Sequence, residues 1–170
     1  MATIAIDPLK LPSVCVVDTG VLLLALNQRA HRADSAICRA LWKALLTPER
    51  LRNGARVLLP APAIAELVRG TSKQDPPKVA GVFVAPFTAR TARFLGQYLS
   101  TSLIETVVGE THLPRAYVKY DALIAATAIA ADATLIALDG WFHRHSSTWP
   151  IKVKTPYDFT REQLNLDIDT

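Results

Sequence analysis

Asp18, Glu66, Asp121 and Asp139 are the side chains of this 170-residue chain whose type and placement could do chemistry. Asp18 lies in "CVVDTGVLLLAL", at the end of a short β-branched run and directly before a run of Leu and Ala. Glu66 falls in the second turn of a helix expected after "ARVLLP", and Asp139 ends "TLIALD". Three acids at three strand-to-helix junctions emerge on one edge of a parallel sheet, beyond the carboxyl ends of its strands, where open α/β sheets bind ligands. Asp121 is different. It lies inside the Ala-rich stretch "PRAYVKYDALIAATAIAADA", where helical spacing sets it on a face with Tyr117, Ile124, Ala125 and Ala128. A carboxylate on so apolar a face is costly unless something pairs with it, and Lys119 and Arg115 are the nearby cations in sequence.

Taken singly, each acid has an ordinary use: Asp18 as a helix cap, Glu66 as a surface helix residue, Asp139 with Gly140 as a turn. Together, four converging carboxylates either raise one another's pKa values or recruit a cation. All-oxygen ligation selects a hard ion, Mg²⁺ or Mn²⁺, rather than zinc. Cys15 and Cys38 have neither metal-site nor disulfide spacing, and Cys15 reads as a small core residue inside a strand. Such an ion beside a basic surface suits phosphodiester hydrolysis, since it binds a phosphate oxygen and acidifies water. The basic surface is there in sequence. Between Arg29 and Arg56, seven Lys and Arg face Asp34 and Glu49, giving +5 within a chain of net charge +4, so the remainder is about −1. Counterion release draws such a stripe to a phosphate backbone, with Arg32 and Arg39 as its candidates for RNA contact.

The elements that must hold these acids alternate. "PSVCVV" reads as a buried strand, "TGVLLLAL" as a helix, "HRADSAICRALWKALL" as an amphipathic helix with Ile37, Leu41 and Leu45 inward, and "ARVLLP" as a second strand. "APAIAELVRG" is a helix with Pro62 in its first turn and Gly70 at its end. "TSKQDPPK" is a polar loop and "GVFVAPF" a short strand or extended stretch. "TARTARFLGQYLSTSLIETVVG" makes one or two helices, and the Ala-rich segment one long buried helix. "TLIALD" and "PIKVKT" are further strands, and the tail "PYDFTREQLNLDIDT" is expected to fray. The pattern is α/β with a mostly parallel sheet. Residues 1–170 read as one domain with a core over about 14–159. Apolar runs far shorter than about 20 residues and a poor signal-peptide pattern point to a cytoplasmic protein that spans no membrane.

"VVDTGVLL", "PAPAIAELVRG" and "YDALIAATAIAADATLIALDGWF" occur in the order and at roughly the spacing of PIN-domain nucleases, and the chain most resembles the VapC-like toxins of bacterial toxin–antitoxin pairs. The resemblance runs from Val14 to about Phe159. It implies a five-stranded parallel sheet in a three-layer α/β/α sandwich. It also implies a Mg²⁺- or Mn²⁺-dependent endoribonuclease, a homodimer, and a cognate antitoxin as partner. By motif position it places the metal ligands and catalytic acids at Asp18, Glu66, Asp121 and Asp139. Two positions depart from the family: Gly20 stands where Ser or Asn is frequent, and Ala137 where Thr or Ser is frequent. Hydroxyls and amides around a metal site tune its affinity, so their loss makes a catalytically weak or inactive RNA- or partner-binding module the alternative.

In "DGWFHRHSSTW", His143, Arg144 and His145 are candidates for substrate phosphate, and Trp141 for base stacking or for packing on the sheet. Arg69, three residues after Glu66, is a candidate for a site carboxylate or a phosphate. The aspartic-protease reading of "VVDTG" fails on its helical context and the lack of a second Asp-Thr-Gly. A phosphoacceptor domain would want a further acid beside Asp18 and a Lys on a late strand, which neither "VVDTG" nor "LIALDG" supplies cleanly.

Overall fold

The computed structural model describes residues 4–26, 33–70 and 79–161. Five short strands, β1 (Val14–Val17), β2 (Arg56–Pro60), β3 (Val82–Ala85), β4 (Thr134–Ile136) and β5 (Val153–Lys154), form one all-parallel sheet in the order β3-β2-β1-β4-β5. The central strand reads VCVV, and its stiff β-branched side chains fit a pleat covered on both faces.

Alternation on β1 assigns the two cores. Val16 points to one side, where α7 (Arg115–Ala130), α8 (Gly140–His145), Leu99 and Val107 bury a layer rich in Ala and aromatics. Cys15 and Val17 point to the other, against α1 (Thr19–Leu26) and α2 (Ala33–Leu45). Helices on both faces make the three-layer α/β/α sandwich expected from the sequence. α7 needs its Ala content because it lies almost flush on the sheet: Ala122, Ala125, Ala126 and Ala128 are buried, and larger side chains there would hold the layers apart. Asp132, in the left-handed conformation that Asp tolerates, turns the chain from α7 into β4.

The remaining helices are α3 (Pro48–Arg52), α4 (Ala61–Gly70), α5 (Ala89–Tyr98) and α6 (Thr101–Thr111). The stretch read as one or two helices is two. Ser100 accepts a hydrogen bond from the Leu103 amide at 3.3 Å and so starts α6 as a separate element. The described part of the C-terminal tail does not fray. Thr155 and Asp158 form a reciprocal cap, Phe159 is buried, and Thr160 pairs antiparallel with Ile6, tying the tail to the start of the chain. Residues 162–170, the segment 71–78 read from the sequence as a polar loop, and Arg32 with its neighbours lie outside the described residues. Among those described, no helix is long and apolar enough to cross a membrane.

Strand order reverses at β1. The chain moves from β1 to β2 to β3 on one side and returns to β4 and β5 on the other. Connections leave β1 and β4 in opposite directions at their carboxyl ends, and the opening between them is where a parallel sheet takes its ligand.

Candidate active site

Asp18 follows β1 and Asp139 follows β4, so both acids stand at this switch point. The Asp18 amide donates to the Ile136 carbonyl at 3.0 Å, stitching the end of β1 to the end of β4. β4 is shorter than "TLIALD" suggests. It ends at Ile136, and Asp139 occupies the position before the first turn of α8, where the chain has already left the sheet. Asp18 is only 2% exposed. Glu66 comes from the second turn of α4, directly after β2, and Asp121 from the middle of α7.

The four carboxylates share one electrostatic neighbourhood. Burial, followed by the charge of Asp139, pushes the Asp18 carboxyl up to about 7, with Glu66 adding a smaller repulsion. Burial, then Asp18 and Asp139, push Asp121 up to about 8. Asp139 is exposed as a whole residue, yet surrounding protein raises its carboxyl by desolvation as well. Among the described residues none of the four is ion-paired with a Lys, Arg or His. The cations read as neighbours of Asp121 are not its partners: Arg115 pairs with Glu105, and Lys119 is exposed. Also among the described residues, no three Asp, Glu, His or Cys groups already sit close enough to enclose an ion. Field and geometry thus differ. The charges of neighbouring acids raise the carboxyls of Asp18 and Asp121 while the four do not form a compact cluster. An all-carboxylate donor set of this kind fits a hard divalent ion and no thiophilic one.

Two neutral side chains orient the acids. Thr19, the first residue of α1, donates its hydroxyl to Glu66 Oε2 at 2.6 Å, and Trp141 donates its indole N–H to Asp121 Oδ2 at 3.2 Å. Neither role was read from the sequence. The signal for Thr19 was its place beside Asp18 at a helix start, where a side chain projects over the sheet edge; for Trp141 no local signal existed. Trp141 is 2% exposed and stacks on Phe142 with ring centroids 4.2 Å apart, so it packs rather than offering its face to a base. The stacking role considered for it is therefore corrected: the ring is core, and only its N–H serves the acids.

Gly20 is tight against Asp18. Its amide donates to Asp18 Oδ2 at 3.2 Å, and a Cβ built there would lie 3.2 Å from the same oxygen. A side chain at this position must displace the carboxylate by a few tenths of an ångström. Ala137 is fully buried, and its carbonyl lies 3.4 Å from His143 Nε2. Arg144 and His145 both reach Glu110, at 3.4 and 3.1 Å. Arg69 donates to the Tyr120 hydroxyl at 3.2 Å and lies over that ring at 5.4 Å. In the basic segment, Arg50 is structural, donating to the Pro12 carbonyl at 2.6 Å, and Arg56 stacks over Phe83. Arg39 and Lys43 line a surface groove with Ile4 and Ile6.

Removing the Thr19 hydroxyl tests its orienting role. Thr19→Val keeps the shape of the side chain and is expected to weaken Mn²⁺ binding about tenfold, within the range for groups that hold a ligand in place. Calorimetric titration reads it, and unchanged affinity would show that Glu66 is held without Thr19.

A chain with acids at the switch point of a parallel sheet is an α/β protein whose candidate site lies where open sheets take their ligands. Comparison with known proteins narrows it. The family model for the PIN domain matches residues 15–147, and the chain belongs to the PIN-domain family. Among curated proteins, none matches the chain by sequence. Solved structures share its fold. VapBC2 from Rickettsia felis, bound to a DNA fragment from its promoter, has a chain that superposes with a TM-score of 0.54 at 20% identity, covering 84% of this chain and 98% of its own. FitAcB from Neisseria gonorrhoeae gives 0.53 at 21% over 84% and 98%. DNA-bound VapBC from Salmonella typhimurium gives 0.51 at 16% over 84% and 97%. At these identities the likeness is one of fold.

Proposed function

We propose that this protein is a Mg²⁺- or Mn²⁺-dependent endoribonuclease that hydrolyses RNA phosphodiester bonds at Asp18, Glu66, Asp121 and Asp139. We further propose that it is the toxin of a toxin–antitoxin pair. The carrying observation is that Asp18 and Asp139 stand at the switch point with Asp18 and Asp121 buried, each facing the charge of the other acids, and that no described Lys, Arg or His forms an ion pair with any of the four. The toxin role is supported by the resemblance of the sequence motifs to VapC-like toxins and by the fold shared with chains of VapBC and FitAcB assemblies. A homodimer in the cytoplasm, restrained by a cognate antitoxin, is the setting this reading expects.

Asp18, Asp121, Asp139 and Glu66 would hold the ion. The chemistry supplied there when it is bound is polarisation of the scissile phosphate and acidification of water to near neutral pKa. The chain's own groups do the rest. Asp18, fixed by the Gly20 amide and by the stitch between β1 and β4, gives the cup its rigid floor. Trp141 orients Asp121 through Oδ2 and leaves Oδ1 as a donor atom; Thr19 does the same for Glu66, leaving Oε1. His143 lies beside the end of β4, 3.4 Å from the Ala137 carbonyl, whereas Arg144 and His145 reach a phosphate only by leaving Glu110.

Mn²⁺ titration by calorimetry on the wild type and on Asp18→Asn tests the reading directly. Binding in the wild type that is lost in the variant, together with metal-dependent cleavage of RNA, is the expected outcome. If the wild type binds nothing at millimolar metal, Gly20 and Ala137 mark a dead site and the binding-module alternative takes its place.

A further inference from the structure

One turn before Asp121 on α7 stands an exposed aromatic ring. Tyr117 is 57% exposed, on the turn of α7 immediately before Asp121. At a spacing of four residues the two side chains lie on one helical face, with Cβ atoms about 5–6 Å apart. Tyr120, three residues after Tyr117, is half-buried and already engaged, because Arg69 of α4 covers its ring and donates to its hydroxyl. Arg69 is one turn beyond Glu66 on α4, so the same spacing that carries Glu66 to the cup carries the guanidinium to its rim. The rim thus presents an open aromatic face next to one acid and a fixed cation next to another. More than half of the Tyr117 surface is open to solvent, and among the described residues no hydrogen bond or ring contact is made by its side chain.

We propose that Tyr117 is a stacking platform for an unpaired base of single-stranded RNA, beside the phosphate to be cleaved, with Arg69 gripping a neighbouring phosphate. This rests on the nuclease reading above and deepens it by assigning Tyr117 and Arg69 to the positioning of the substrate. A base can lie on Tyr117 only if it has left its duplex stack, so the site selects unpaired strands by shape, and any base qualifies because every base has a π-face. Trp141, the residue whose type first suggested stacking, has its ring in the core, and Tyr117 occupies the exposed position instead.

The test uses a fluorescein-labelled single-stranded RNA pentamer in EDTA, so that binding is measured apart from metal and cleavage. Anisotropy titrations compare the wild type, Tyr117→Ala, Tyr117→Phe and Arg69→Ala, with melting temperatures taken alongside. Tyr117→Ala is expected to bind about tenfold more weakly, which is about 1.4 kcal/mol, with an unchanged salt slope and melting temperature. Tyr117→Phe is expected to stay within twofold. Arg69→Ala is expected to lower the salt slope by a little under one ion. A pentamer carrying 2-aminopurine is expected to be quenched on the wild type, which reads stacking directly should the alanine variant fold poorly. Wild-type affinity in Tyr117→Ala, or no quenching on the wild type, overturns the platform. RNA binding with no Mn²⁺ binding removes the nuclease reading while leaving the platform standing; no RNA binding by the wild type removes both.

Discussion

Asp121→Asn is expected to abolish Mn²⁺ binding and, in the same protein without metal, to raise the melting temperature at pH 8. An active-site substitution that stabilises follows from the direction of the pKa shifts. An aspartate has its ordinary pKa near 3.8, whereas in the folded chain burial and the charges of Asp18 and Asp139 hold Asp121 up to about 8. The folded state therefore binds more protons than the unfolded state between those values, and stability falls as pH rises through that window. Below about pH 4 the acid is protonated in both states and costs nothing. Above about pH 8 its full penalty is present. Asn carries the shape without the charge, so the gain is expected to be about 2–4 kcal/mol at pH 8 and close to zero at pH 4, less than the shift alone implies because Asp18 and Asp139 relax when Asp121 is neutral. For a chain of this length that is roughly 5–15 °C. Mn²⁺ should then raise the melting temperature of the wild type and leave the variant where it is, since only the former binds. Melting curves at the two pH values, with and without Mn²⁺, decide it. A metal-free variant melting below the wild type at pH 8 would mean that the acids do not repel as described.

Asp18, Glu66, Asp121 and Asp139 could be read from the chain because each depends on an arrangement that local pattern encodes. A β-branched run followed by a Leu/Ala run fixes where β1 ends and hence where Asp18 emerges, and an Ala-rich periodicity of 3.6 fixes the face of α7 that carries Asp121. The groups that hold those acids were not legible, because contacts such as Thr19 with Glu66 and Trp141 with Asp121 join residues 47 and 20 positions apart. Arg115 and Lys119 looked like partners for Asp121 only while distance was counted along the helix. The length of β4 was overestimated for a related reason. "LIAL" is uniformly apolar up to Asp139, and the strand ends at Ile136 where both neighbours run out, Val17 of β1 and Lys154 of β5 being its last partners. The described end of the tail is ordered by its pairing with Ile6, and no pattern within residues 156–161 could announce a partner at the other end of the chain.

Phe142→Ala is expected to cost about 3–5 kcal/mol, a large share of the 5–15 kcal/mol that holds a domain of this kind together. Phe142 is fully buried, stacked on Trp141 and edge-on to Trp149 at 6.3 Å, and its removal leaves a hole beside two indoles that cannot both close on it. The loss does not stop at the core. α8 is six residues long, begins directly after Asp139, and is fastened there by the Phe142 amide donating to the Asp139 carbonyl at 3.2 Å. Trp141, its neighbour, orients Asp121. A loosened Phe142 therefore frees two of the four acids together, and Mn²⁺ affinity is expected to fall along with the melting temperature. Trp141→Phe separates these effects. It keeps an aromatic ring against Phe142 and Trp149 but deletes the indole N–H, so it is expected to weaken Mn²⁺ binding about tenfold while shifting stability by only about 1 kcal/mol. Thermal melts and calorimetry on both variants distinguish packing from orientation. If Phe142→Ala binds Mn²⁺ as the wild type does, α8 does not position the acids. If Trp141→Phe does so, Asp121 is held by the packing of α7 alone.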